Sequence, residues 1–470
     1  MSVEARTHIR LTDWLIVASC SIAVAGLIVV GEGQEIPKIW AAAILTCGLV
    51  LAFWGAARNR LLNASQVDRW AWAVLLSHTV FTSRVRDPRD ILDSTAPTMD
   101  IMVEMAIWAL IFAYGTMRLL SGLSMLRGLR NITARSTLAF FALAFLSATY
   151  AASPVITLAW SFKLLTTILM ALVLCYSEGP LRPEERFVSA SFLGLLLMLG
   201  QFVLLGALSP AAAWDRSDAT GIWRLGGFIL PATQLSAVCG MIVIVLVIDT
   251  LSRKQSRFTL PLMGLACLVM LTSLGRSGMI ATALAMAFVF IHYRRTRLLM
   301  ASLVVLPLII IAVPGLSGLS WELLSRRQTA DQIGSLTGRV QLWETAVDLI
   351  LEHPFLGWGY VSGSRIAFLT AFRWWPAIHT HNFVLEVLLT LGSVGAFVLL
   401  SMLGLTLAGL GRLLRAGIND PSIVKMIALL IIIVVDGMFT SGIGGAPRFE
   451  AVILIGSALC VGAVQERARA

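Results

Sequence analysis

Residues 228–250 read FILPATQLSAVCGMIVIVLVIDT, a continuous apolar run in which Asp249 is the only charged residue. A helix needs about 20 predominantly apolar residues to cross the hydrocarbon core of a bilayer. The run does not alternate between apolar and polar residues, so it is typical of a membrane-spanning helix and not of a strand in a membrane barrel. This stretch therefore predicts an α-helical membrane protein.

The remainder of the chain repeats the same pattern. The 470 residues are 58% hydrophobic and 13% charged, whereas soluble globular chains are about 45–50% apolar and about 25% charged. A soluble enzyme is therefore excluded. Further apolar segments lie near 14–31, 37–56, 70–82, 99–117, 136–153, 154–175, 188–209, 259–274, 277–293, 298–316, 383–410, 423–441 and 449–465. We predict an all-α polytopic membrane protein with about 12–14 transmembrane helices, leaving open whether the short segment 70–82 spans the bilayer or lies at its interface.

The net charge of +10 could indicate nucleic-acid binding, but the positions of the basic residues favour another explanation. Short loops rich in Lys and Arg remain in the cytoplasm. With a cytoplasmic N-terminus and alternating spans, most of the 36 Lys and Arg residues fall in cytoplasmic segments. We therefore expect both termini in the cytoplasm and no nucleic-acid partner. The first apolar segment lacks a small-residue cleavage site, so we expect it to be a bundle helix rather than a signal peptide.

The predicted organisation has three parts: a transmembrane bundle at 1–316, a large outer loop at 317–381 and C-terminal transmembrane helices at 382–470. The loop is far longer than the roughly 12–15 residues beyond which structureless loops are uncommon. It should therefore contain its own structure. Within it, residues 339–352 (RVQLWETAVDLILE) predict an amphipathic helix that stops before His353-Pro354. Its expected apolar stripe consists of Val340, Trp343, Val347 and Ile350.

Two arginines at segment ends are candidate anion ligands, because a guanidinium binds phosphate through a fixed fork of donors. Arg276 lies in the turn 273–278 (SLGRSG), where glycines would let a head group approach the backbone. The alternative is an arginine that extends to the membrane interface. Arg339 begins the predicted loop helix, where the helix dipole disfavours a cation. It is therefore either solvated or directed at an anion.

His379 and His381 lie where the loop re-enters the membrane. An unperturbed histidine pKa near 6.5 suits a general base at neutral pH, although a single histidine at such a boundary is often only a satisfied polar residue. We favour His381, because the adjoining Asn382 could orient the ring or an acceptor hydroxyl. The chain contains no zinc-type spacing and no Walker phosphate loop, so no metal or other cofactor is expected.

Other residues leave two interpretations open. The loop aromatics, Trp343 and Tyr360 among them, could form an interfacial belt or a platform for sugar rings or a lipid head group. Lys163, Asp436 and Glu386 lie within or near spans, where charged residues are either functional or paired with one another.

Three motifs occur in a fixed order along residues 270–400. The first is Ser273 to Gly278. The second runs from Thr337-Gly338-Arg339 through Trp343 and His353-Pro354 to Gly357-Trp358-Gly359-Tyr360. The third is His381-Asn382, followed after nine residues by Gly392-Ser393-Val394-Gly395. Together they resemble the O-antigen ligase and O-antigen (exopolysaccharide) polymerase superfamily of bacterial membrane glycosyltransferases.

The resemblance implies a GT-C-like enzyme of the bacterial inner membrane whose large loop is periplasmic. The donor would be a saccharide on undecaprenyl pyrophosphate, and the transfer would be inverting and would need no metal. His381, Arg339 and Arg276 would be the catalytic residues. The substrate-binding residues would be Asn382, Trp343, Tyr360, His379 and Arg365.

The acceptor remains open at this point. A polymerase would join the saccharide to another lipid-linked glycan, whereas a ligase would join it to lipid A-core in lipopolysaccharide biosynthesis. The residues of the loop motif resemble those of exopolysaccharide polymerases slightly more than those of ligases. Polysaccharide assembly or export proteins are possible partners. A lipid-linked oligosaccharide flippase is the competing class, but transporter sites usually lie near the bilayer midplane between repeats. Here the informative residues gather at the outer face.

Overall fold

The computed structural model describes most of the chain from residue 64 onward. The described residues are 64–82, 99–208, 210–216, 223–226, 230–254, 256–298, 300–301, 339–371, 379–417 and 420–469. The predicted spans 14–31 and 37–56, most of 298–316, and loop residues 317–338 lie outside them.

Helices make up nearly all of this described part. They are α1 (Ala64–Thr82), α2 (Met99–Ser121), α3 (Ile132–Leu146), α4 (Pro154–Tyr176), α5 (Pro183–Leu208), α6 (Pro210–Ala213), α7 (Ala232–Leu251), α8 (Thr259–Ser273), α9 (Arg276–His292), α10 (Arg339–Glu352), α11 (Ser362–Ala371), α12 (Phe383–Arg415), α13 (Pro421–Gly437) and α14 (Phe449–Arg469). Two 3₁₀ helices, Leu123–Arg130 and Ser147–Thr149, flank α3. Strands β1 (Trp214–Arg216) and β2 (Trp223–Leu225) form an antiparallel hairpin.

Six helical segments among the described residues are long and apolar enough to cross a membrane. They are Ile132–Thr149, Pro154–Tyr176, Pro183–Leu204, Ala232–Leu251, Phe383–Arg415 and Phe449–Ala468. The shorter α8 and α9 are also apolar, and they turn large side chains such as Leu268 and Ile291 outward, as expected of a surface that faces lipid. The predicted all-α polytopic fold is confirmed. The total of 12–14 transmembrane helices and the three domain boundaries stay predictions.

Segment 70–82 is the second half of a helix that packs inside the bundle. Helix α1 lies against α5, and Trp70 and Trp72 are fully buried. The indole N–H of Trp72 donates a hydrogen bond of 3.0 Å to Ser191 Oγ. A buried tryptophan usually needs such a partner, so this contact fixes α1 to the core.

The charge of Lys163 is neutralised within the bundle. Its ammonium group on α4 forms an ion pair with Glu104 on α2 and lies 4.0 Å from the ring centroid of Trp160. Lys163 thus has a structural partner other than Asp436 or Glu386.

A kink in α12 joins the outer loop to the bundle. Gly392 interrupts the helix with φ 65° and ψ −166°, and the turn 354–359 fits into this break. The N–H groups of Trp358 and Gly359 donate to the carbonyls of Leu389 and Thr390, both at 2.9 Å, while Ser393 N–H donates to the Pro354 carbonyl at 2.8 Å. Gly357 and Gly392 have no room for a Cβ atom at this junction. The end of the second sequence motif and the glycines of the third are therefore in direct contact with each other.

Helix α10 spans Arg339–Glu352 as predicted, but it buries a different face. Leu342, Ala346 and Leu349 pack against α11 and α12, whereas Val340 and Val347 of the predicted stripe are 38% and 45% exposed. The prediction is wrong for Val340 and Val347, whereas Ile350 packs at the edge of the buried cluster. Apolar residues cover more than half of the circumference of this helix. Its periodicity alone could not select the side that meets α12.

Candidate active site

Four helices begin at or just after residues whose side chains interact electrostatically. Helix α9 begins at Arg276 and α10 at Arg339, while α12 and α14 begin just after His381-Asn382 and Arg448. Arg339 is in electrostatic contact with Arg276, and both Arg339 and Arg448 act on His381. Helix N-termini carry partial positive charge and favour anions. These helix starts therefore offer positions that favour an anion.

The turn that carries Arg276 is held tightly against α7. Leu274 has a left-handed φ of 52°, and Ser236 Oγ on α7 donates a 2.9 Å hydrogen bond to the carbonyl of Gly275. A Cβ on Gly275 would lie 2.4 Å from Ser236 Cβ, and one on Gly278 would lie 2.6 Å from the Ala237 nitrogen. The glycines thus allow close helix packing, which fixes the backbone of Arg276.

Arg339 is half-buried between charges of both signs. Burial lowers its pKa, the carboxylate of Asp436 acts in the opposite direction, and Arg276 lowers the pKa further. Arginine stays protonated at neutral pH despite such shifts. Arg339 is thus a fixed cation that faces another cation as well as a carboxylate, an arrangement that favours an additional anion.

The rings of His379 and His381 are in contact, tilted by 42° relative to each other, and both are uncharged. Their ring centroids are 4.2 Å apart. Burial, followed by the charges of Arg339 and Arg448, lowers the pKa of His381 to about 3. Burial and the neighbouring His381 and arginines lower the pKa of His379 well below its ordinary value. Each imidazole is therefore neutral at pH 7 and has a nitrogen lone pair available to accept a proton.

The backbone at His381 is strained. Its φ is 53°, a left-handed value that only a few per cent of non-glycine residues adopt. Leu274, with a φ of 52°, lies in the first motif, and Val361, with a φ of 58°, directly follows the second. Strain of this kind persists only where surrounding contacts enforce it, and it concentrates at functional sites.

Asn382 and Glu386 hold in place the segment 379–382, which we call the histidine loop. Asn382 Oδ1 caps α12 by accepting hydrogen bonds from Val384 N–H and Leu385 N–H. Glu386 is 2% exposed and accepts hydrogen bonds from Thr380 N–H at 2.8 Å and Ser364 Oγ at 3.0 Å. These contacts fix the residue on either side of His381. They are structural contacts, and the substrate-binding role of Asn382 stays a prediction.

The predicted substrate-binding aromatics are placed differently from each other. Trp343 is half-buried and donates its indole N–H to the Thr380 carbonyl at 2.9 Å, so it supports the histidine loop directly. Tyr360 is fully buried, and its hydroxyl donates to the Gly445 carbonyl at 2.8 Å. The structure does not bring the Tyr360 ring to the site, so its contacts do not support the predicted role.

Arg365 lies at the edge of the site. Its guanidinium carbon is 5.3 Å from the ring centroid of Trp160, and its charge acts on His379 and on Glu386. Of the predicted residues, the structure thus brings together Arg276, Arg339, His379 and His381, with Arg365 beside them.

Sequence reasoning missed Arg448 and Glu450 and assigned no role to Asp436. All three are buried. Arg448 acts on both histidines, Asp436 on Arg339 and Glu450 on Arg448. The sequence did offer one indication for Arg448. It lies between apolar segments on the predicted outer side of the membrane, where arginine is less common than on the cytoplasmic side.

Residues 261–400 match the family model described as O-antigen ligase. The match confirms the resemblance predicted from the three motifs. It includes Arg276, Arg339 and His381 and ends before Asp436 and Arg448. No curated protein matches the chain.

Proposed function

We propose that this membrane protein transfers a saccharide from undecaprenyl pyrophosphate to a hydroxyl group of an acceptor glycan at the periplasmic face of the inner membrane. A glycosyltransferase of the ligase or polymerase type follows from the family match. The observation that supports the finer proposal is a neutral His381 that directly precedes the N-terminal cap of α12 and lies within the electrostatic range of Arg339 and Arg448. The reaction needs such a base and such an anion-binding site.

In the proposed step, a nitrogen of His381 removes the proton of the acceptor hydroxyl as its oxygen attacks the anomeric carbon. The bond between that carbon and the phosphate oxygen breaks, and undecaprenyl pyrophosphate leaves with the bonding electron pair. Arg339 and Arg276 stabilise the charge that develops on the leaving group. Attack opposite the leaving group inverts the anomeric centre.

Binding of the donor would also prepare the base. A diphosphate between the arginines offsets the positive charges that help to lower the pKa of His381. Its pKa then rises toward the operating pH, where general-base catalysis is most effective. His381 would thus become a competent base only when the leaving group is in place.

Polymerisation is the favoured outcome, with ligation to lipid A-core as the alternative. The experiment is transfer by purified protein in proteoliposomes, with lipid-linked donor and acceptor on the same side. A ladder of lengthening products supports a polymerase, whereas a single addition to lipid A-core supports a ligase. Movement of donor across the bilayer without transfer would instead identify a flippase.

Arg339→Lys and Arg276→Lys are the matched variants for this assay. A lysine keeps the charge but cannot reproduce a bidentate fork, so both should lose most activity at normal expression. Full activity of both would contradict a phosphate-binding role. The same assay in EDTA tests metal independence. In the part of the chain that the structure describes, no group of three or more His, Cys, Asp or Glu side chains could hold a metal ion.

A further inference from the structure

Arg448 is a buried cation just before α14, outside the residues that match the family model. It is 8% exposed. Its Nε–H has no hydrogen-bond partner within the described residues. Burying an uncompensated charge costs several kcal/mol, so a guanidinium in this position calls for a partner.

The nearby carboxylates do not supply that partner. Glu450 and Glu386 are in electrostatic range of Arg448. Both carboxylate oxygens of Glu450, however, lack a hydrogen bond in the described part of the chain, so neither contacts the guanidinium directly. Glu386 already accepts hydrogen bonds from Thr380 and Ser364. The fork of Arg448 is therefore available to another anion.

Two of the unpaired polar atoms belong to residues that interact with the proposed base. Arg448 acts electrostatically on His379 and His381, and the Nδ1 atom of His379 is also buried without a hydrogen-bond partner among the described residues. Buried polar groups without partners are rare in folded proteins and indicate an ion, a water or a ligand. These atoms lie beside the residue that we propose as the base.

We propose that Arg448 is a third phosphate-binding arginine, which holds an oxygen of the donor's pyrophosphate together with Arg339. This inference rests on the proposed function. It places the pyrophosphate among arginines from three separate parts of the chain, namely the turn before α9, the start of α10 and the turn before α14. An arginine from the C-terminal helices would also link their packing to donor binding.

Binding of two lipids to the full-length protein in nanodiscs tests this proposal without requiring turnover. Arg448→Gln should weaken binding of undecaprenyl pyrophosphate by about 10- to 100-fold, the usual effect of losing a charge-assisted hydrogen bond. Arg448→Lys should fall between this variant and the wild type. Binding of undecaprenyl monophosphate should change much less if Arg448 holds the second phosphate group.

Two controls separate phosphate binding from a structural role. Arg257→Gln removes an exposed arginine that lies over the ring of Phe258 and should leave the binding of both lipids unchanged. Glu450→Gln removes the nearest carboxylate. It should preserve or tighten binding of the pyrophosphate lipid if Arg448 binds phosphate.

Unchanged binding of the pyrophosphate lipid by Arg448→Gln would overturn the proposal. An equal loss for both lipids, or the same loss in Glu450→Gln, would instead assign Arg448 to the structure of the fold. Loss of pyrophosphate binding in a protein that transfers no sugar would reject the proposed function but retain the site. Normal binding by Arg448→Gln in an active transferase would reject only the role of Arg448.

Discussion

At the scale of single residues, the histidine loop contains two chemically similar side chains, those of His379 and His381, which lie side by side. His381 precedes the cap of α12 and has the strained backbone, while His379 packs against it. Both are neutral, so charge does not distinguish them. The distinction lies in position, because His381 is closer in sequence to the α12 N-terminus and, after burial, Arg339 and Arg448 have the largest effects on its pKa.

We expect His381→Ala to lower the single-turnover transfer rate by about 10²- to 10⁴-fold at saturating donor, the usual contribution of a general base. Donor affinity should change little, because the arginines remain. His379→Ala is the matched control and should be much milder. A wild-type rate for His381→Ala, or a dead His379→Ala variant, would reverse the assignment.

The depressed pKa of His381 predicts an unusual pH dependence. The neutral imidazole is the active form, and a pKa of about 3 keeps it neutral throughout the physiological range. The value of kcat/KM, which reports the free enzyme, should therefore stay flat from pH 8 down to about pH 5. The acid limb of the single-turnover rate at saturating donor should lie at higher pH, because the bound diphosphate raises the pKa of the base.

Full pH profiles of both constants provide the measurement. A fall in kcat/KM centred near the ordinary histidine value of about 6.5 would show that His381 is not depressed in the free enzyme. Coincident acid limbs for the single-turnover rate and kcat/KM would show that donor binding does not change the pKa of His381.

Sequence reasoning identified Arg276, Arg339 and His381 because each lies in a motif with recognisable neighbours. It could not identify Arg448 as a site residue, since Arg448 and His381 are far apart in sequence and their helices, α14 and α12, meet only in the packed bundle. It also proposed Tyr360 for the site, because an aromatic residue in a glycine-rich turn can face either a ligand or the core. Burial decides between these, and burial depends on contacts remote in sequence.

At the scale of elements, the junction between the turn 354–359 and the kink of α12 sets the position of the loop. The sequence predicted the helix at 339–352 and, within the second motif, the glycine-rich residues 357–360 that follow it. It did not predict that the turn fits into α12, because Gly392 and Gly395 lie in an apolar run that is compatible with an unbroken helix. The contact between the turn 354–359 and α12 shows why the helix is interrupted at Gly392.

Gly392→Ala should destabilise this junction. The alanine would need a left-handed φ, and its Cβ would lie 2.2 Å from the Phe355 carbonyl carbon, so backbone atoms must move. We expect strain of about 1–3 kcal/mol from the dihedral alone, a lower melting temperature and a large loss of transfer.

Gly404→Ala is the matched control, since it lies in the same helix and a Cβ added there would have no atom within 4 Å. It should leave stability unchanged or slightly increase it, because alanine favours a helix. Equal melting temperatures and activities for the two variants would show that the kink does not position the loop.

At the scale of the whole molecule, composition and hydropathy predicted the fold class, and the apolar segments correspond well to the described helices. The sidedness of the molecule depends instead on the distribution of Lys and Arg. The fold alone does not fix it, because a helical bundle satisfies its backbone hydrogen bonds in either orientation.

Reporter fusions test this sidedness. Alkaline phosphatase inserted within 317–338 should be active, because that enzyme matures outside the inner membrane, and a fusion after Arg257 should be inactive. Green fluorescent protein at the same positions should give the opposite pattern. Inverted signals at both positions would place the candidate site in the cytoplasm and exclude a periplasmic transfer.

The convergence of helix N-termini has a further consequence for the catalytic cycle. Dipoles and arginines that stabilise a departing diphosphate also retain it after the sugar has moved, since they interact with the product as strongly as with the donor. Escape of the spent carrier lipid into the bilayer would then be slower than bond formation. The steady-state rate would be governed by the exchange of lipids at the site, and accumulated carrier would act as a competitive inhibitor.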